Sequence, residues 1–269
     1  MQSQLLLTDF ASDTLQGLSA YPKYLSSKYL YDDTGSSIFQ DIMQMPEYYL
    51  TNCEYEIFTT HRNQITKAFH ENRKGFDLIE LGSGDGLKTK ILLESLIEQS
   101  ASFQYIPVDI SKKANKELVE SLKREMPSLD VAPRTGDYFQ KIKELNGYSG
   151  LQKVILFLGS NIGNFSDEEV EVFFSRLSTL SHKGDKILIG FDLKKSPHII
   201  MEAYNDPHGH TRRFNINHLT RLNRELNANF DVDNFEHHTE YNPMTGEVKS
   251  FLVSKADHAV DIGDLEQTF

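Results

Sequence analysis

The segment Glu80-Leu81-Gly82-Ser83-Gly84-Asp85-Gly86 follows an apolar run and precedes a helical pattern. Glycines at alternate positions let the backbone turn tightly and approach a ligand with no Cβ in the way. The apolar run Phe103–Asp109 ends in an acid, and a carboxylate at that place can accept hydrogen bonds from both hydroxyls of a ribose. Gly136-Asp137-Tyr138 comes third; there a carboxylate can take an adenine amino group and an aromatic ring can pack on the base. Read alone, Asp137 serves equally well as a helix cap. Taken together and in this order, the three elements point to a nucleotide-containing cofactor held at strand ends.

Such elements need a sheet to align them. Strands are expected at Phe76–Leu81, Phe103–Asp109, Leu129–Ala132, Val154–Leu158 and Lys186–Phe191, and helices at Lys88–Gln99, Lys112–Glu125, Tyr138–Leu145 and Asp167–Leu180. Alternation of this kind is the signature of a parallel sheet with crossover helices. Ser166-Asp167-Glu168-Glu169 has the form of a capping box, which starts a helix soon after the fourth strand. The glycine spacing is E-x-G-x-G-x-G rather than G-x-G-x-x-G, and so resembles class I methyltransferases more than dinucleotide enzymes. The expected fold is therefore α/β, a Rossmann-like doubly wound sheet at 61–196 that binds S-adenosylmethionine.

The flanks read differently. Residues 1–60 carry helical patterning and an aromatic group of Tyr21, Tyr24, Tyr29, Tyr31, Tyr48 and Tyr49. Residues 197–269 hold a helical stretch, Asn217–Asn227, and a hairpin of Phe235–Tyr241 with Glu247–Ser254, joined by Asn242-Pro243-Met244-Thr245-Gly246. A second, smaller substrate-binding domain built from both flanks is expected over the carboxyl ends of the strands.

Composition narrows the classes. With 39 acidic against 28 basic residues the formal net charge is −11, which argues against a nucleic-acid partner. No apolar run of about 18 residues offers a membrane span, and the N-terminus has no basic segment ahead of its leucines to mark a signal peptide. The single cysteine, Cys53, cannot form an internal disulfide, which fits a reducing, cytoplasmic setting; it reads as inert rather than nucleophilic. His198, His208, His210, His218, His237 and His238 show no helical H-x-x-x-H or H-E-x-x-H spacing, so no metal is expected.

Longer strings carry a more specific resemblance. Tyr29-Leu30-Tyr31-Asp32-Asp33-Thr34-Gly35-Ser36, Met45-Pro46-Glu47-Tyr48-Tyr49-Leu50-Thr51 and Phe157-Leu158-Gly159-Ser160-Asn161-Ile162-Gly163-Asn164 are three of them; Ala203-Tyr204-Asn205-Asp206 and Phe214-Asn215 through Asn223-Arg224-Glu225-Leu226 follow. In these the chain resembles, over nearly its whole length, the histidine Nα-methyltransferases of the ergothioneine pathway. The resemblance implies that Gly82, Gly84, Gly86, Lys88, Asp109, Asp137 and Tyr138 contact the cofactor, with the Lys88 ammonium near the methionine carboxylate. It implies substrate contacts at Tyr31, Tyr48, Gly159, Asn164 and Tyr204, with Tyr31 and Asn164 nearest the chemistry. Without that resemblance, Lys88 reads as a solvated helix lysine, the tyrosines as packing residues, and Asn164 as a turn residue.

Two departures stand out. Members of that family run beyond the position of Phe269; the resemblance implies that an acid and a hydroxyl holding the imidazole, and the last strands of the sheet, belong to that part, leaving Lys186–Phe191 as an edge. Ser250 also stands at a hairpin position where the resemblance implies a larger apolar side chain facing the substrate. The alternatives to a histidine enzyme are the same chemistry on another amino acid such as tryptophan, a nicotinamide-dependent oxidoreductase, and an inactive cofactor-binding module.

Overall fold

The computed structural model describes residues 8–70, 75–145 and 150–269. Helices α1 (Asp9–Ser19), α2 (Asp33–Met43) and α3 (Tyr49–Phe69) come first. Strands and helices then alternate: β1 (Phe76–Leu81), α4 (Thr89–Glu98), β2 (Phe103–Asp109), α5 (Lys112–Glu125), β3 (Arg134–Thr135), α6 (Tyr138–Leu145), β4 (Gln152–Phe157), α7 (Asp167–Leu180) and β5 (Lys186–Ile189). The chain continues with α8 (Pro197–Tyr204), α9 (His210–Glu225), β6 (Phe235–Asn242), β7 (Glu247–Ser254), β8 (Asp261–Ile262) and β9 (Gln267–Thr268). It divides into two compact units, Tyr49–Leu193 and the pair of segments Met1–Tyr48 and Lys194–Phe269. The whole of α3 thus belongs with the sheet, whereas the sequence splits it near residue 60.

In the first unit five parallel strands lie in the order β3-β2-β1-β4-β5. Strand order reverses between β1 and β4, the place where open α/β sheets leave a crevice at their carboxyl ends. Every residue of β1 is buried, as expected for a parallel strand covered on both faces. Its alternate side chains serve two cores. Phe76 and Leu78, with Val154 and Leu156 of β4, pack under Phe58 and Phe69 of α3, Leu92 and Leu96 of α4, and Leu118 and Leu122 of α5. Ile79 and Leu81, with Ile155 and Phe157, meet Ile142 of α6 and Phe173 and Leu177 of α7. The Ser166 capping box forms with both reciprocal bonds and starts α7 where the sequence places it.

The third strand differs from expectation. Only Val131 of the expected Leu129–Ala132 makes a bridge, to Tyr105, and the ladder resumes with Val108 opposite Arg134. That register sets Pro133 opposite Pro107, and neither has an N–H to give to a ladder. The fifth strand ends at Ile189, two residues early. Gly190 still donates to the Phe157 carbonyl at 2.9 Å, after which the chain leaves the sheet and Phe191 is exposed. Among the described residues β5 is the last strand on its side.

In the second unit α9 packs on α1 and the β6–β7 hairpin through Leu219, Leu222, Leu226, Phe10, Leu18 and Phe235. Helix α9 starts at His210, seven residues before the expected Asn217, because the Asp206 carboxylate caps it by accepting from the N–H groups of His210 (2.9 Å) and Thr211 (2.8 Å). The hairpin register runs Phe235 to Ser254 through Asn242 to Glu247; Asn242 closes the turn, its carbonyl accepting from Gly246 N–H at 2.7 Å. No helix among the described residues is long and apolar enough to cross a membrane.

Candidate functional site

The glycine turn leaves β1 at the switch point. Gly82, Gly84 and Gly86 have φ of +76°, +52° and +67°, a left-handed conformation that residues with a Cβ rarely adopt. Their surroundings distinguish them. A Cβ at Gly82 would lie 2.7 Å from the Tyr138 hydroxyl and 3.1 Å from Nδ2 of Asn161, one at Gly86 would strike Leu118 of α5 at 2.5 Å, and one at Gly84 would meet nothing within 4 Å. Gly86 therefore lets a helix approach, whereas Gly84 borders open space. The Ser83 hydroxyl is buried with no hydrogen-bond partner among the described residues, an unmet polar group that a ligand could satisfy.

Asp109 ends β2 beside this turn. Its Oδ2 accepts from Gly84 N–H at 3.1 Å and its Oδ1 from Ser111 N–H at 2.8 Å. Burial pushes its carboxyl above the usual range, against the pull of the N–H donors from Ser111, Gly84 and Ile110. A carboxylate offers about four lone-pair sites, so it can hold the turn and still accept from two hydroxyls. The acid of the motif, Glu80, points the other way, into the core. It accepts from Thr89 Oγ1 at 2.5 Å and from the Tyr105 hydroxyl, joining α4 to β2. Burial raises Glu80 to about 7, although the Thr89 and Tyr105 hydrogen bonds and the Lys88 charge pull it down.

Asp137 caps α6, its Oδ1 accepting from Phe139 and Gln140 N–H at 3.0 and 3.1 Å; its carboxylate is an exposed cap as well as a candidate contact. Tyr138 sets its ring edge-on to Phe157, with centroids 5.9 Å apart, and its hydroxyl over Gly82. Lys88 precedes the first residue of α4 and pairs with Glu54 of α3. A Cβ at Gly159, just past β4, would lie 3.6 Å from the Lys88 ammonium. Asn164 closes the short helical turn Asn161–Asn164 that follows.

The sequence-expected residues of the other unit come together around aromatic rings. Tyr31 packs edge-on to Phe39 and Phe214 at 5.3 and 5.2 Å, and Tyr48 edge-on to Phe39 and Tyr204 at 6.1 and 6.0 Å. The Tyr204 carbonyl accepts from Thr239 of β6 at 3.0 Å. Other tyrosines of the sequence group lie elsewhere: Tyr21 and Tyr24 are exposed, the Tyr29 hydroxyl donates to Asp13 at 2.8 Å, and that of Tyr49 donates to Asp192. Ser250 faces His237, Oγ to Nε2 at 3.2 Å. Among the described residues no three His, Cys, Asp or Glu side chains converge as metal ligands. Glu54 and Asn161 join the first unit's polar group without having been singled out. Nothing in spacing marks a glutamate on a polar helix, and Asn161 lies inside a string whose other residues carry the resemblance.

A parallel sheet in this order, with a glycine turn, a strand-end acid and an aromatic beside the turn, defines a class I, Rossmann-like methyltransferase fold. The model of the histidine-specific, S-adenosylmethionine-dependent methyltransferases matches residues 10–269, and the chain belongs to that family. It is 33% identical over 256 residues to the histidine N-alpha-methyltransferase of Mycobacterium tuberculosis (strain CDC 1551 / Oshkosh), covering 95% of this chain and 78% of that one. Identity to the histidine N-alpha-methyltransferase of Mycolicibacterium smegmatis is also 33%, over 272 residues, 98% of this chain and 83% of that one. The L-tryptophan methyltransferase trpM of Psilocybe serbica is 29% identical over 275 residues, 93% of this chain and 76% of that one. The chain is thus an S-adenosylmethionine-dependent methyltransferase.

Proposed function

We propose that this chain methylates the α-amine of a free amino acid, L-histidine, with Gly82, Gly84, Gly86, Lys88, Asp109, Asp137 and Tyr138 contacting the cofactor. The observation that carries the reading is the gathering of Gly82, Tyr138, Lys88 and Gly159 at the carboxyl ends of β1 and β4, in a chain whose family is histidine-specific. When bound, S-adenosylmethionine supplies a methyl group on a sulfonium, which an amine lone pair displaces as the carbon–sulfur bond breaks and its electrons stay on sulfur. Asp109 holds the ribose, Tyr138 packs on the base, and Lys88 meets the methionine carboxylate.

Gly159, Asn164, Tyr31, Tyr48 and Tyr204 contact the amino acid. Their part is orientation, since holding nucleophile and electrophile in line removes most of the entropic barrier. The attacking amine must be neutral, whereas the α-amine of a free amino acid titrates above the value of about 8 typical of a chain terminus. Hydroxyl and amide groups such as those of Tyr31 and Asn164 favour the neutral amine better than carboxylates would, and the proton lost on transfer passes to water.

A second reading, the same transfer to tryptophan, is supported by the likeness to the L-tryptophan methyltransferase of Psilocybe serbica. Both are tested by incubating the purified chain with S-adenosylmethionine and each amino acid, and locating any added methyl by mass spectrometry. Methyl on the α-nitrogen of histidine is expected. Transfer to tryptophan in preference would move the assignment to the second reading, and no methylated product from either would refute both readings.

A further inference from the structure

The turn after β4 places two consecutive residues in the left-handed conformation, Gly159 at φ +71° and Ser160 at φ +57°. Glycine adopts it freely, but serine, with its Cβ, does so only when the surroundings hold it. Two contacts hold this turn. The Gly159 N–H donates to both carboxylate oxygens of Glu54, at 2.8 and 3.0 Å, and the Ser160 hydroxyl accepts from the Asp192 N–H at 2.8 Å.

The same Glu54 carboxylate accepts from the Lys88 ammonium, in a pair whose side chains are only 17% and 14% exposed. Gly190 makes room for it, since a Cβ there would collide with Oε1 of Glu54. Shielding an ion pair this far from water costs desolvation that only good partners offset. Here the partners stand on separate elements, one entering α4 beside the glycine turn and one leaving β4.

We propose that Glu54 is a positioning residue that ties the cofactor side of the site to the substrate side: one carboxylate aims Lys88 and fixes the Gly159–Ser160 turn. The inference rests on the roles proposed above for Lys88 and Gly159. An ammonium has three N–H donors and a carboxylate about four acceptor sites. Lys88 can therefore keep Glu54 while meeting an incoming carboxylate, and Glu54 can serve Lys88 and Gly159 at once.

The test compares Glu54→Ala, Glu54→Gln, Lys88→Met and the double variant Glu54→Ala/Lys88→Met, each checked for folding by circular dichroism and thermal melting. Calorimetric titration with S-adenosylhomocysteine reads the cofactor arm, and the KM and kcat for histidine read the substrate arm. Glu54→Ala is expected to weaken S-adenosylhomocysteine binding about tenfold and to raise the histidine KM about tenfold. Glu54→Gln keeps an oxygen for the Gly159 N–H but no charge for Lys88, so it should lose cofactor affinity while holding KM within about threefold of the parent. If Glu54 acts on the cofactor through Lys88, the double variant binds S-adenosylhomocysteine no more weakly than Lys88→Met alone.

Folded Glu54→Ala protein with parental affinity and KM would overturn the proposal and leave Glu54 a purely structural residue. Losses that multiply in the double variant would overturn the Lys88 arm, and a Glu54→Gln KM as poor as that of Glu54→Ala would overturn the Gly159 arm. Should Glu54→Ala fail to fold, Glu54→Gln still reads the cofactor arm, and a histidine KM raised about tenfold in Glu54→Gln would overturn the Gly159 arm. A parent chain that does not methylate histidine refutes the substrate reading, and the calorimetric cycle still decides whether Glu54 works through Lys88.

Discussion

Replacing Asp109 by alanine removes a half-buried carboxylate from the end of β2 and deletes two kinds of contact at once. One kind is internal: the N–H groups of Gly84 and Ser111 lose their acceptors at 3.1 and 2.8 Å, which loosens the glycine turn and the entry to α5. The other is the proposed pair of bonds to ribose hydroxyls. Hydrogen bonds to a charged group contribute about 1.5–3 kcal/mol, and the ligand's hydroxyls return to water when it is not bound. A loss between about tenfold and a hundredfold in affinity, about 1.4–2.8 kcal/mol, is therefore expected.

The two contributions separate by changing the ligand as well as the protein. Calorimetry with S-adenosylhomocysteine and with its 2′-deoxy analogue, on the parent and on Asp109→Ala, forms a cycle. The parent should discriminate strongly between the two ligands and the variant should not, because the group that reads the hydroxyl is gone. Equal discrimination by both proteins would refute the ribose assignment even if the variant bound more weakly. Unchanged affinity for S-adenosylhomocysteine would refute it outright.

The proposed substrate contacts should separate from the proposed cofactor contacts: Asn164→Ala and Tyr204→Phe are expected to keep S-adenosylhomocysteine affinity within about threefold and to lower kcat/KM for histidine about tenfold or more. Comparable losses of cofactor affinity would show that they belong to the other half of the site. A stability prediction concerns His218, buried against the rings of Phe10 and Tyr29, with Nε2 unpartnered among the described residues. Burial, reinforced by the Arg221 guanidinium and opposed by Asp32, pushes its imidazole down to about 4. Between that value and about 6.5 the unfolded chain binds the extra proton, so this contribution is complete above pH 6.5 and fades as pH falls towards 4. The loss is about 2 kcal/mol by pH 5 and on the order of 3 kcal/mol in full. Urea unfolding at pH 7.5 and pH 5 should show it in the parent and not in His218→Phe, and an identical pH slope in both would remove His218 as the cause.

Much of the local architecture was legible along the chain. The glycine turn, the acid closing β2, the cap that starts α7 and the turn that closes the β6–β7 hairpin are decided within a few residues, by φ preferences, capping groups and the alternation of apolar side chains. Such signals survive in a one-dimensional reading because the interacting groups are neighbours in sequence. Tertiary structure decided what depends on chain segments far apart. Pro133 breaks the third strand because register brings it opposite Pro107. Tyr31, Tyr48 and Tyr204 share one aromatic group only because Phe39 and Phe214 lie between them. Glu54 is the clearest case. Its bond to Gly159 spans 105 positions, and on a polar helix a glutamate has no local pattern to announce it. Only the packing of α3 against the sheet brings that carboxylate to the Lys88 ammonium and the turn after β4, where burial makes an ordinary side chain consequential.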